Sequence, residues 1–364
     1  MIRVLHVFGR LNRGGAEGRA MDIYRNIDRT KVQFDFIVHT NDICDYEEEA
    51  RALGAGIFRL PRFTGKNFFA YRKAWLDFLA QNNAYNAVHI HVTNFAFVFL
   101  PLLKNIPIRI AHSHSTSDSS VVKRILVRVT RPIILKHCTH YLAASKMAAD
   151  FVFDKNTKGV IVVPNAIDIK AFVYDPELRR RMREELKLGD SFVVGHVGRL
   201  SAEKNHAYLL KITKTLQNDR PDAVLLLVGD GQLRSTLEHQ ATELGVKAQF
   251  LGWRDDVPAL MQAMDVFAFP SLFEGLGCAV EAQAAGLPCL ISNTTPKECA
   301  IIPELCTFLP INISPEIWAD AMLKQRGHIR RITFDEIKRA GFDAPEQAMW
   351  YEHFYSKGVT LNCR

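Results

Sequence analysis

Two successive series of short β-branched runs, each run separated from the next by a helical pattern, constrain this chain more than any other feature. The first series predicts strands near residues 3–8, 34–39, 87–92, 109–113, 141–144 and 160–163, with helical patterns at 16–26, 46–53, 69–81, 121–137 and 146–153. The second predicts strands near 192–197, 223–228, 249–252, 266–270 and 288–292, with helical patterns at 206–217, 233–244, 257–264, 279–285 and 315–325. Continuous apolar runs without polar alternation mark strands buried on both faces, as in parallel sheets covered by helices. The expectation is an α/β chain of two doubly wound, Rossmann-like domains facing a cleft. A length of 364 residues suits two domains better than one. Residues 1–170 are expected to form the first domain and 171–343 the second, with the charged stretch 175–187 as a helical linker. The tail 344–364 carries Met349, Trp350, Tyr351, Phe354 and Tyr355 as an apolar helix face, which docks either on the second domain or back on the first.

A hydrophobic share of 48% and a charged share of 23% exclude disordered, collagenous and coiled-coil chains. No apolar run approaches the ~18 residues of a membrane span. The start, Met1-Ile2-Arg3-Val4-Leu5-His6-Val7-Phe8, is expected to be a strand, since it lacks the cleavage site of a signal peptide. Seven scattered cysteines without a CxxC point to a reducing, cytoplasmic setting, with neither a disulfide framework nor a zinc site. Charge is uneven. Residues 1–170 hold 24 basic against 14 acidic residues, and the remainder 22 against 25, so the first half is basic. That asymmetry suits an anionic partner: nucleic acid, a phosphorylated substrate or an anionic membrane. Nucleic acid fits least, because no aromatic residues interleave with the basic ones on a strand platform.

In sheets of this kind ligands bind beyond the carboxyl ends of the strands, and four segments at such ends carry polar or glycine-rich chemistry. After the first strand, Gly14 and Gly15 lead into a helix, where backbone N–H groups can face an anion; a plain strand-to-helix turn is the alternative. The segment is not GxGxxG, so a nicotinamide-type fingerprint is absent. After the fifth strand come His112 and His114, expected to face opposite sides, one toward the core and one toward the cleft. No third ligand lies at suitable spacing nearby, so no metal site is expected. In the second half, Gly198-Arg199 and Lys204 precede a helix, and a planar guanidinium with a compact ammonium suits two phosphates. Finally, Glu274-Gly275-Leu276-Gly277 and Glu281 place two carboxylates around a glycine-rich loop. They read either as a glycosidase-like pair or as acceptors for sugar and ribose hydroxyls.

Gly14-Gly15-Ala16-Glu17, Ala111-His112-Ser113-His114, Pro164-Asn165-Ala166-Ile167-Asp168, Gly198-Arg199-Leu200 with Lys204-Asn205, Val228-Gly229-Asp230-Gly231, and Ser271 with Glu274 and Glu281-Ala282 occur in this order. Together they resemble the retaining glycosyltransferase family 4, of GT-B fold, and within it the bacterial capsular and exopolysaccharide transferases. The resemblance spans residues 1 to about 326. It implies a nucleotide-sugar donor, most often UDP-linked, held mainly by the second domain, with no metal and no further cofactor. On the matching positions, Arg199 and Lys204 would bind the diphosphate, Glu274 the donor sugar and Glu281 the ribose, while His114 would contact the sugar near its reacting carbon. Gly14 and Gly15 would let the first loop approach the diphosphate, and Gly275, Leu276 and Gly277 would line the donor. One departure is that six residues separate Glu274 from Glu281, where the family has seven. A loss of one residue turns a helical face by about 100°.

The acceptor implied by the resemblance is a glycan or lipid-linked glycan. Helix 121–136 sets Val122, Ile125, Leu126 and Val129 beside Lys123, Arg124, Arg128 and Arg131, a pattern that fits either an anionic membrane surface or an ordinary solvated face. The expected setting is cytoplasmic, peripheral to the inner membrane face if the first reading holds. Two rivals remain: a nucleotide-sugar 2-epimerase of the same architecture, and a non-catalytic nucleotide-sugar-binding relative.

Overall fold

The computed structural model describes residues 1–114, 121–273 and 276–357. The chain divides into two compact units: unit 1 comprises residues 1–167 and the chain from Gly341 onward, and unit 2 comprises residues 168–340. Both divides fall three residues ahead of the expected 170 and 343. Ile167 and the chain near Asp343 are strapped together by a parallel bridge, with Ile167 N donating to Phe342 O at 2.8 Å and Ala344 N to Ile167 O at 3.1 Å.

Unit 1 runs β1 (Ile2–Phe8), α1 (Gly15–Asn26), β2 (Val32–Val38), α2 (Glu47–Ala52), β3 (Ile57–Arg59), α3 (Phe68–Gln81), β4 (Ala87–Ile90), β5 (Ile108–Ser113), α4 (Val121–His137), β6 (His140–Ala143), α5 (Lys146–Phe153) and β7 (Val160–Val162). The strands form one parallel sheet in the order β3-β2-β1-β4-β5-β6-β7. Chain order reverses beside β1, the switch point at which such sheets bind ligands. Helices cover both faces, and period-two alternation along β1 sends Val4 into one buried layer and Leu5 and Val7 into the other. On α4, Val127 and Ile134 face the core, whereas Ile125 and Val129 are 54% and 61% exposed beside the exposed Arg124 and Arg128. Arg131, expected on that basic face, is instead spent internally: it bonds Val152 O, Phe151 O and the Asp154 carboxylate.

Unit 2 runs α6 (Ile169–Phe172), α7 (Pro176–Glu185), β8 (Val193–Val197), α8 (His206–Asp219), β9 (Val224–Val228), α9 (Arg234–Leu244), β10 (Ala248–Gly252), α10 (Val257–Ala263), β11 (Val266–Phe269), α11 (Gly277–Ala284), β12 (Cys289–Ser292), β13 (Cys306–Leu309), α12 (Pro315–Leu323) and α13 (Phe334–Arg339). Its sheet is again parallel, ordered β10-β9-β8-β11-β12-β13, and reverses beside β8. The stretch expected to be a linker is α7, an integral part of this unit. Asp175 caps it by accepting from Glu177 N and Leu178 N, and Pro176 fits the first turn. Arg179 and Arg183 then grip Asp265 and the carbonyls of Gln262, Ala263 and Met264.

The final helix, α14 (Ala344–Lys357), is part of unit 1. Tyr351, Phe354 and Tyr355 are buried in the layer that holds Phe34 and Tyr24. Gln347 Nε2 donates to Pro164 O at 2.6 Å, and Glu352 accepts from Asp28 N at 2.8 Å. No helix among the described residues is long and apolar enough to cross a membrane.

Candidate active site

In unit 1 the loop after β1 brings Gly14 and Gly15 to the start of α1. Gly14 is the extended residue capping the helix, and a Cβ there would fall 2.4 Å from the Glu17 carboxylate folded over it. A Cβ on Gly15 would meet nothing within 4 Å, so the open approach to this helix end lies at Gly15.

Next to this loop, the ends of β1, β4 and β5 gather five imidazoles. His6 pairs in register with His89, and His112 and His114 follow on the neighbouring strand. His6 Nδ1 lies 3.1 Å from His91 Nε2, and His91 Nδ1 lies 2.8 Å from His114 Nε2. A second chain runs from Tyr355 OH to His89 Nδ1 at 2.7 Å and from His89 Nε2 to His112 Nδ1 at 2.9 Å. The expectation that His112 and His114 face opposite sides is wrong. Residues two apart on an extended chain share a face, and these two rings lie 4.0 Å apart, centre to centre. The sequence reading also missed His6, His89 and His91, although His89-Ile90-His91 repeats the spacing of His112-Ser113-His114 and signalled a second histidine pair.

Burial depresses these rings. His6 falls to about 3 and His114 to about 4, with Asn165 beside His114 pulling the other way; His89, His91 and His112 lie well below the ordinary value. All five are therefore neutral at pH 7, each with one N–H donor and one lone pair. His6, His89 and His112 are sealed in, whereas His91 and His114 stay half-buried and line an open groove with Gly9, Glu17, Thr93 and Asn94.

In unit 2 the equivalent position holds the loop after β8. Gly198 N donates to Val228 O and Leu200 N to Asp230 O, both at 2.9 Å, so the loops after β8 and β9 are tied edge to edge. Leu272 N donates to Glu203 O at 2.8 Å, and Asn205 Nδ2 to Pro270 O at 3.1 Å, which ties in the loop after β11. On this frame Arg199 is exposed, and the half-buried Lys204 lies 5.5 Å from the centre of the Phe269 ring. A Cβ on Gly198 would crowd Lys204 Cε at 3.2 Å, so the glycine leaves room for the lysine stem. Asn205 takes the left-handed conformation, φ 56°, to turn the chain into α8.

Leu276 precedes α11 and is buried, Gly277 is the first residue of that helix, and Glu281 lies one turn further in, 7% exposed. Glu274 and Gly275 lie outside the described residues. The expected residues thus fall into two sets: Gly14, Gly15 and His114 at the strand ends of unit 1, and Arg199, Lys204, Leu276, Gly277 and Glu281 at those of unit 2.

The family model described as Glycosyltransferase Family 4 matches residues 13–171, and that described as Glycosyl transferases group 1 matches residues 177–324. EpsF of Bacillus subtilis (strain 168), a protein named as a glycosyltransferase, is 34% identical over 362 residues, covering 94% of each chain. This chain belongs to glycosyltransferase family 4. The capsular polysaccharide biosynthesis glycosyltransferase CapH of Staphylococcus aureus is 24% identical across 92% of this enzyme and 94% of its own length. The Escherichia coli UDP-Gal:alpha-D-GlcNAc-diphosphoundecaprenol alpha-1,3-galactosyltransferase is 38% identical over 159 residues, 41% of each chain. The crystal structure of Anabaena Alr3699/HepE in complex with UDP and glucose matches with a TM-score of 0.78 at 19% identity, covering 98% of this chain and 100% of that one. That likeness agrees with the GT-B fold expected for the glycosyltransferase.

Proposed function

We propose that this enzyme is a retaining, metal-independent glycosyltransferase that moves a sugar from a UDP-sugar to a glycan or lipid-linked glycan acceptor in surface-polysaccharide synthesis. The observation that carries the reading is the placement of Arg199 and Lys204 on the pinned loop at the β8 switch point of unit 2. Two cations on that frame suit a diphosphate, and stabilising the leaving diphosphate is an electrostatic task that needs no bound metal. The UDP-bound state of Anabaena HepE and the UDP-Gal donor in the name of the Escherichia coli relative favour uridine; CapH favours a capsular product. In this reading Glu274 contacts the donor sugar and Glu281 the ribose. His114, neutral and half-buried, orients a sugar hydroxyl, while the departing phosphate takes the acceptor proton.

The test is incubation with UDP-glucose and UDP-galactose, with and without an undecaprenyl-diphosphate-linked sugar, in excess EDTA. Acceptor-dependent UDP release with an α-linked product supports the proposal. UDP-sugar binding without release favours the non-catalytic rival, and an epimerised UDP-sugar favours the epimerase. Loss of transfer in EDTA, restored by Mg²⁺ or Mn²⁺, overturns the metal-independent mechanism.

A lipid-linked acceptor would bring unit 1 to a membrane, and α4 offers the surface for it. Two apolar side chains one turn apart, Ile125 and Val129, stand exposed with Arg124 and Arg128 alongside.

A further inference from the structure

We infer that unit 1 carries a binding site for a zinc-class divalent cation, formed by His91, His112 and His114 at the carboxyl ends of β4 and β5. One ring nitrogen from each lies within 4.8 Å of the other two. The sequence argued against a metal because no third ligand followed along one segment; the third ligand comes from the neighbouring strand. Three imidazoles with no carboxylate or thiolate suit Zn²⁺, Co²⁺ or Ni²⁺ and not Mg²⁺ or Ca²⁺. Zn–N bonds of about 2.0–2.1 Å set tetrahedral nitrogens about 3.3 Å apart. The 2.8 Å gap between His91 Nδ1 and His114 Nε2 has only to open by roughly half an ångström.

Two further observations point to a ligand. His112 is 4% exposed, and its Nε2 is buried with no hydrogen-bond partner among the described residues. Two of the three opposite nitrogens are already held as an outer shell holds metal ligands: His112 Nδ1 by His89, which is itself bonded to Tyr355 OH, and His91 Nε2 by His6. An entry path exists too, since His91 and His114 border the open groove. A second triad, His6, His89 and His91, shares His91, so one cation per chain is expected. The outer triad is preferred because His6 and His89 are each 2% exposed and sealed from that groove. The site is built wholly from unit 1 and shares His114 with the proposed transfer site. Occupancy would engage His114, so the test reads binding and not turnover.

The experiment titrates chelator-stripped full-length protein with Co²⁺ and then Zn²⁺, reading visible d–d absorption and calorimetric stoichiometry. One Co²⁺ per chain, with the intense absorption of tetrahedral geometry and displacement by Zn²⁺, is expected. His112→Ala and His114→Ala should each weaken Zn²⁺ at least tenfold, and His89→Gln, in the outer shell, by about 10–100-fold. His239→Ala, on the exposed face of α9, should change nothing. His114 is half-exposed, so its variant keeps the test decisive if the buried variants fail to fold, with circular dichroism checking each. Weak octahedral absorption, or an unchanged Zn²⁺ affinity in folded His114→Ala, overturns the inference, as does loss of binding on His6→Ala with His112→Ala unaffected.

Discussion

A Cβ on Gly229 would lie 2.2 Å from the carbonyl oxygen of Gly198, so the loops after β9 and β8 touch backbone to backbone. Gly229 also has φ +129°, a conformation that costs an L-residue on the order of 1–3 kcal/mol. Gly229→Ala adds a backbone clash to that strain and should lower the melting temperature of unit 2 and the affinity for UDP together. Gly15→Ala should leave the melting temperature unchanged, because nothing lies within 4 Å of its Cβ, and lower turnover only if a donor approaches there. Differential scanning fluorimetry and UDP calorimetry on both variants check the contrast.

Arg199→Ala and Lys204→Ala should each weaken UDP-sugar binding. A charge-assisted contact is worth about 1.5–3 kcal/mol, or roughly ten- to 100-fold in Kd. Binding should also weaken with added salt in the unaltered enzyme, and less steeply in the variants. Calorimetry at two ionic strengths measures both effects. Unaltered affinity in both variants would remove these residues from the donor site.

His114→Ala, assayed in chelator, should lower turnover by about 10²-fold or more with donor affinity little changed, as expected on losing a positioned group. His112→Ala should instead cost stability. Its ring is buried against His89, His91 and His114, and its removal leaves His89 Nε2 unpaired, costing about 1–3 kcal/mol for that group alone. An inactive but stable His112→Ala beside a normally active His114→Ala would reverse the assignment.

What was legible in the sequence followed from local signals. Strands such as Val224–Val228 are continuous apolar runs, and both chain reversals follow from two βαβ series. β3 and β13 escaped because each is a short edge strand, Ile57–Arg59 and Cys306–Leu309, and neither makes an apolar run of its own. α7 read as a linker because its charge looked solvated, whereas Arg179 and Arg183 reach backbone carbonyls that no pattern in α7 itself reveals. The histidine cluster was the largest omission. Its members are up to 108 positions apart (114 − 6), and only the order β1-β4-β5 brings them together.

Acid should destabilise unit 2 through His206, which is 2% exposed and depressed by burial to about 4. Its folded value lies below the ~6.5 of an unfolded chain. The unfolded state therefore binds the extra proton first, and stability is full above pH 6.5 and falls as pH drops toward 4. By pH 5 the loss from this one group is on the order of 2 kcal/mol. Urea melts between pH 7 and pH 5 should include that loss, and His206→Leu should reduce the slope by this one group's share, the buried and likewise depressed His196 beside it keeping part of the rest. An equal slope in the variant would place the acid sensitivity elsewhere.

The last prediction concerns α4. Exposed apolar side chains are ordinary singly, but Ile125 and Val129 stand one turn apart, and Arg124 and Arg128 repeat the same step beside them. A helix face so arranged lowers its apolar stripe into the headgroup boundary while its arginines meet anionic lipid, each worth about 1 kcal/mol near the surface. Arg131 adds nothing, because its guanidinium is committed to α5 and the turn that follows. Co-sedimentation with phosphatidylglycerol vesicles should therefore fall with salt, and fall again in Arg124→Glu/Arg128→Glu and in Ile125→Ser/Val129→Ser. Arg131→Gln should reduce thermal stability and leave vesicle binding of the folded protein intact. If both double variants sediment as the unaltered enzyme does, α4 is a solvated face, and a lipid-linked acceptor must be met by another surface.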